Sequence, residues 1–190
     1  MNLEQRAAEL SGVDPDLADV RAAQADRAAF AALYRRYVDR VYGYAYYLLG
    51  DHHDAEDVTE RTFLAALSAI DRFRERGATF RAWLFRIAHN EAANALRTRA
   101  RRRTDPLDAE ASAAPDTDLA GMATRADEGR RLWQALAALA DDRRQVLVLR
   151  FVDGLSAREI GIVLRRSEGA VRVLQHRALR QLATLLGPEA

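Results

Sequence analysis

Apolar residues recur every three or four positions along most of this chain, and the places where that period lapses divide it. From about Leu17 a long helical pattern begins. It strengthens through Phe30, Leu33, Tyr34, Tyr37, Val41, Tyr44, Ala45 and Leu48, until Gly50-Asp51 stops it. A second helix is predicted over 54–70, turning Val58, Thr62, Leu64 or Ala65, and Leu67 to one side. Residues 71–79 are polar, contain Gly77 and read as a loop. A third helix is predicted over 80–102, with Trp83, Leu84, Ile87, Ala88, Ala92, Ala95 and Leu96 as its apolar stripe. Trp83 is expected in the core. No segment alternates with period two, so strands are not expected.

The pattern fails over 104–127. Pro106, Pro115, Gly121, many alanines and a surplus of acids leave little apolar surface to bury, and a flexible acidic linker is expected. Packing resumes at Leu132, Trp133, Leu136 and Leu139, then at Val146, Leu147, Leu149 and Phe151, and Asp153-Gly154 closes that helix. Residues 1–19, interrupted by Ser11-Gly12 and Asp14-Pro15, are expected to be weakly structured. The fold class is therefore all-α, with two small helical domains, 20–103 and 128–186, on a tether.

The most specific local signal lies over 156–186. Ser156 and Glu159 have the spacing of a capping box. A short helix then carries Ile160, Val163 and Leu164 inward. Ser167 can cap a longer one whose stripe is Val171, Leu174, Ala178, Leu182 and Leu185. Arg172, His176, Arg177 and Arg180 occupy its other side. Two helices joined tightly, the second basic on its outer face, describe a helix-turn-helix with a reading helix for the major groove. Gly161 permits close helix approach, whereas a left-handed backbone at Arg165, in the turn, would be strained.

Composition sharpens this picture. The net charge of +1 conceals alternating blocks: 7 Arg against 13 acids over 1–71, then 10 against 2 over 72–103. The tally is 1 against 7 over 104–129 and 11 against 6 over 130–190, with no Lys anywhere. Basic blocks between acidic ones suit a nucleic-acid binder that also has a basic partner. Absence of Cys removes disulfides, thiolate zinc sites and thiol redox chemistry. No apolar run is long enough to span a bilayer, and the first residues lack a basic segment followed by an apolar one, so a cytoplasmic protein without membrane insertion is expected.

Candidate chemistry is sparse. His52, His53, Asp54, Glu56 and Asp57 could ligate a metal. They open a helix, however, where the macrodipole favours acids without any metal. His89 and His176 lack partners in sequence, and no nucleophile triad or phosphate loop occurs. No catalytic residue, metal or cofactor is expected. The chain is not expected to be an enzyme, and a metal phosphoesterase using His52 and His53 is the remotest alternative.

Taken together, DAEDVTERTFLAAL, FRERGATFRAWLFRIAHNEAANALRTRARRR, the linker and LSAREIG…SEGAVRVLQHRAL resemble the extracytoplasmic-function sigma factors of bacterial RNA polymerase, within the primary-sigma superfamily. The resemblance covers nearly everything beyond the first twenty residues and outside the linker. It implies a region-two domain and a region-four domain, binding to core polymerase through its β′ clamp helices and β flap, and recognition of double- and single-stranded promoter DNA. An anti-sigma protein is a further partner it allows.

Carried over by position, Asp54, Glu56, Asp57 and Glu60 would offer carboxylates to basic groups of core polymerase, although Glu60-Arg61 stands where many members have Gln-Glu. Arg72, Arg74, Arg76, Phe80, Arg81, Arg86, Asn90 and Arg97 would serve the −10 element, whose opened strand calls for cations, polar groups and stacking surfaces. Ser167, Glu168, Arg172, His176, Arg177 and Arg180 would serve the −35 element. The alternative from another class is a free-standing helix-turn-helix regulator that never binds core polymerase.

Overall fold

A computed structural model describes residues 14–75, 77–104, 131–132 and 134–187. Residues 105–127 of the expected linker, Arg76 and Trp133 lie outside the described residues. Among those described, every regular element is helical. The first domain comprises α1 (Leu17–Ala25), α2 (Phe30–Leu49), α3 (His52–Ala69) and α4 (Phe80–Thr104). The second comprises helical residues at 131–132 and 134–137, α5 (Asp141–Leu147), α6 (Ala157–Leu164) and α7 (Glu168–Leu186).

The long helix predicted from Leu17 is two helices. Asp26 leaves the helical region at φ −138° and its carboxylate accepts from the Ala28 amide, starting a turn of 3-10 helix over Arg27–Ala29 before α2. The boundary expected at residue 19 falls inside α1; residues 1–13 lie outside the described residues, and residues 14–19 are structural. Asp14 and Asp16 are both buried. The Asp14 carboxylate accepts from the Phe80 amide at 2.5 Å, while Thr79 Oγ accepts from the Ala82 amide at 3.2 Å. A residue far back in the chain thus helps to cap α4. The Asp16 carboxylate accepts from the Tyr37 hydroxyl and pairs with Arg36.

Helices α2 and α3 pack against each other and α4 packs on both. The predicted α2 stripe is the core, with Leu33, Val41 and Tyr44 fully buried, except that Tyr34 is exposed. On α3 the inward positions include Thr59, Thr62 and Phe63, and Leu64 points outward. Thr59 and Thr62 can be buried because their hydroxyls donate to the carbonyls of Ala55 and Val58, at 2.7 and 2.6 Å. Phe85, absent from the predicted α4 stripe, is fully buried, and Trp83 is half-buried against Phe73 and Phe80.

After α5 the chain forms a π-turn over Val148–Val152, in which the Asp153 amide reaches back five residues to the Val148 carbonyl at 3.2 Å. Closing the ring one residue late rotates the end of the turn off the apolar stripe. Phe151, expected in the core, is 61% exposed. Leu185, expected inward on α7, is exposed too, near the end of a helix that outruns its support. The two domains share a continuous core, with α4 packed on α6 and α2 on the π-turn.

Candidate functional site

Three surfaces gather the residues that sequence singled out. The first is a groove of about 690 Å³ between α2 and α3. Phe63 and the exposed Tyr34 and Leu64 supply apolar surface, and Asp39, Glu56 and Glu60 bring carboxylates to its rim. Of the four acids expected to act together, Glu56 and Glu60 line this groove and the other two do not. Asp54 lies 3.8 Å from Arg99, and Asp57 lies 3.5 Å from Arg61 one turn on. Sequence reading missed Tyr34 and Leu64 because helical spacing allowed them as core. Nothing short of the packing itself places them outside. His52, at the start of the same helix, stacks on Tyr46 with centroids 4.4 Å apart and is hydrogen-bonded to the Tyr42 hydroxyl.

The second surface is one face of α4. At about 100° per residue, Arg86, Asn90 and Arg97 fall within about 40° of one another, and all three are exposed. Arg72 and Arg74 are exposed on the preceding loop, Arg74 donating to the carbonyls of Asp71 and Phe73 at 2.7 and 2.8 Å. Two of the expected residues are not on this surface. Phe80 is wholly buried among Tyr37, Phe73 and Trp83, so its ring has no face to offer a base, and its place among the stacking residues is corrected to the core. Arg81 points to the far side of α4 and binds Glu159 through Nε at 3.1 Å and a terminal nitrogen at 2.7 Å.

The third surface is the helix-turn-helix. The capping box forms in full: the Glu159 amide donates to Ser156 Oγ, and the Ser156 amide donates to the Glu159 carboxylate at 2.8 Å. Arg165 takes the left-handed conformation at φ 53°, ψ 47°, and Ser167 Oγ accepts from the Ala170 amide to start α7. That turn closes on Gly161. A Cβ there would lie 2.6 Å from the Arg166 carbonyl oxygen, so the turn requires glycine. Val171 and Ala178 hold α7 to the core, while Arg172, His176, Arg177 and Arg180 are exposed on one broad face. Arg172 pairs with Glu168 at 2.6 Å, and the Ser167 hydroxyl serves as the cap.

Between the domains lies a polar seam that sequence did not disclose. Glu159, the capping glutamate, also accepts from the Thr79 hydroxyl at 2.7 Å and from Arg81. Burial alone would raise its carboxyl, but the hydrogen bonds and charge of Arg81, with Ser156 and Thr79, hold it below the usual glutamate value. Arg40 leans on the rings of Tyr37 and Phe85 and donates to the Asp153 carbonyl. The Asp153 side chain is buried with neither oxygen hydrogen-bonded among the described residues, and burial pushes its carboxyl up to about 8 against the opposing charges of Arg40 and Arg81.

Comparison with known proteins matches both domains. The Sigma-70 region 2 family covers residues 33–102, and the Sigma-70, region 4 family covers 129–182. The chain is 38% identical over 177 residues to the ECF RNA polymerase sigma factor BldN of Streptomyces coelicolor, covering 90% of this chain and 66% of that protein. It thus spans about two thirds of that relative's length. It is 36% identical to the RNA polymerase sigma factor CarQ of Myxococcus xanthus over 84% of this chain and 90% of that one. Among solved structures, CnrH in complex with the cytosolic domain of CnrY matches with a TM-score of 0.71 and 28% identity, over 93% of this chain and all of that one.

Proposed function

The chain belongs to the extracytoplasmic-function sigma factors of bacterial RNA polymerase, and on that basis we propose that it binds core polymerase, recognises −10 and −35 promoter elements and initiates transcription of a specific set of genes. The observation that carries the reading is the acid-rimmed apolar groove on a domain separate from the helix-turn-helix. A free-standing regulator needs only the second domain and would have no use for that groove.

In this reading the groove receives a helical element of core polymerase. Tyr34, Phe63 and Leu64 bury apolar side chains, and Glu56 and Glu60 meet basic groups at the rim. Arg86, Asn90 and Arg97 line the path of the opened −10 strand, adding phosphate affinity and polar contacts to base edges. Arg81 joins them only when its pair to Glu159 is broken, which requires α4 and α6 to part. The exposed face of α7 enters the major groove at the −35 element, Arg172 leaving Glu168 to take a guanine while Arg177 and Arg180 neutralise phosphates. The first domain takes in α1 and reaches back to Asp14 rather than starting at residue 20, and the second domain extends over 128–186. The protein supplies no chemistry of its own, uses no cofactor and works in the cytoplasm. Among the described residues no helix is long and apolar enough to cross a membrane. An anti-sigma protein is a further proposed partner, supported by the solution of CnrH together with a domain of a second protein.

The test is binding to purified core polymerase. Reversing Glu56 and Glu60 together to Arg should weaken binding at least tenfold, the order expected when two rim charges are turned against basic partners. Reversing Asp57, which lies outside the groove, should change it much less. Equal loss from both variants would contradict the groove as the docking site.

A further inference from the structure

The outward centre of α7 is apolar and low over its first two turns, before Arg180 rises on the same line, although the face as a whole is basic. Taking the buried Val171 as pointing inward, about 100° per residue places Gly169 and Val173 within roughly 20° of directly outward, one turn apart. His176 lies about 40° to one side of that line and Arg177 about 60° to the other, with Arg172 beyond His176. Val173 is 50% exposed.

Neither residue is explained by the chain itself. A Cβ added at Gly169 would meet nothing within 4 Å, and its backbone is not among those at positive φ. Packing and conformation would both accept alanine, which is the better helix former. A helical glycine without an internal reason marks a place where something outside comes close. Val173 has the converse property. It is a β-branched apolar side chain with half its surface in water, where helix propensity disfavours it. Together they make a shallow trough walled by Arg172, His176 and Arg177, with no donor or acceptor side chain at its floor.

On a helix proposed to lie in the major groove, such a floor suits one feature of a base pair. The thymine 5-methyl is the apolar group displayed there, beside the O4 acceptor, whereas guanine, adenine and cytosine offer no methyl for an apolar floor to contact. We propose that Gly169 and Val173 form a methyl-reading site that selects a thymine in the −35 element, Gly169 admitting the base edge and Val173 contacting its methyl group. The inference rests on the promoter-binding reading above and adds a specificity that the arginines cannot supply.

The experiment uses the full chain bound to core polymerase. A preferred duplex is first selected from a random pool, and each of its thymines is then replaced singly by deoxyuridine, which removes only the methyl group. The parent should lose about fourfold in affinity at one position, the worth of one buried methyl. Val173→Ala should bind the thymine and deoxyuridine duplexes equally, and Val173→Thr, which keeps a methyl, should retain the discrimination. Gly169→Ala should raise the melting temperature of the protein yet weaken binding to the selected duplex. A parent that prefers a duplex but distinguishes no thymine from deoxyuridine overturns the site, as does a Val173→Ala variant with the parent's ratio intact. A Gly169→Ala variant that binds as tightly as the parent overturns the part given to Gly169. A parent that selects no duplex at all overturns the underlying reading instead.

Discussion

The Asp153 carboxyl should make the stability of this protein depend on pH in a way that one substitution removes. Asp153 is 1% exposed, and neither of its oxygens has a hydrogen-bond partner among the described residues. The nearest cation, Arg40 Nε, stands 3.9 Å away. Burial lifts the carboxyl from 3.8 to about 8. In the unfolded chain the proton leaves near the lower value, and in the folded chain near the higher one. Between them the folded state holds one more proton, so stability must fall as pH rises, by about 1.36 kcal/mol per unit. From about pH 5 to pH 8 that amounts to an upper bound of about 4 kcal/mol, and above the folded value the curve levels off. Asp153→Asn cannot ionise. Its unpaired amide costs a fixed amount at every pH, so the offset is uninformative and the slope decides. Urea denaturation of parent and variant across that range should show the variant gaining steadily on the parent as pH rises. A difference that stays flat would mean that Asp153 is charged throughout, and the buried neutral carboxyl would have to be abandoned.

Other expectations rest on the same geometry. Glu159→Gln leaves Arg81 without its anion in a half-buried seam and should cost about 3 kcal/mol in urea denaturation at neutral pH. Because the Glu159 carboxyl sits below its ordinary 4.5, that difference should persist above the ordinary value and vanish as pH falls through the lowered one; a variant as stable as the parent at neutral pH would dissolve the seam. Gly161→Ala should destabilise by about 1–3 kcal/mol despite alanine's better helix propensity, since the clash is with a backbone carbonyl, and a raised melting temperature would disprove the close approach. Arg165→Gly should act oppositely, gaining up to about 1 kcal/mol by relieving a left-handed arginine. Arg172→Ala should relax preference at one base pair, whereas Arg180→Ala should weaken binding to all duplexes alike and lower the salt slope by about one counterion. Competition binding at two salt concentrations separates them.

Sequence disclosed what depends on local chemistry. The capping box at Ser156 and Glu159, the Ser167 cap, the stop at Gly50 and, apart from Tyr34, the α2 stripe formed where their spacing placed them, because each is settled within a few residues. What it could not disclose depends on distant contact. Asp14 and Asp16 read as the end of a loose segment, yet they cap α4 and anchor α2, through bonds to Phe80 and Tyr37 that no local pattern encodes. Tyr34, Leu64 and Phe151 have the spacing of core residues and lie outside, two because a groove opens between α2 and α3 and one because the π-turn shifts the register. Phe80 erred in the other direction, since an aromatic beside a basic loop suggests stacking on a base until Phe73 and Tyr37 are seen to enclose it. Glu159 was legible as a cap and illegible as a residue that ties the second domain to Thr79 and Arg81 of the first.

On the proposed function, this protein confers promoter selection on a polymerase that lacks it. Run-off transcription with purified core RNA polymerase on fragmented genomic DNA, with and without the full chain, measures that directly. Discrete transcripts should appear only when the protein is added, and their templates should share sequence elements near −35 and −10. DNA binding by the protein alone, with no new transcript from the polymerase it is mixed with, would contradict the claim.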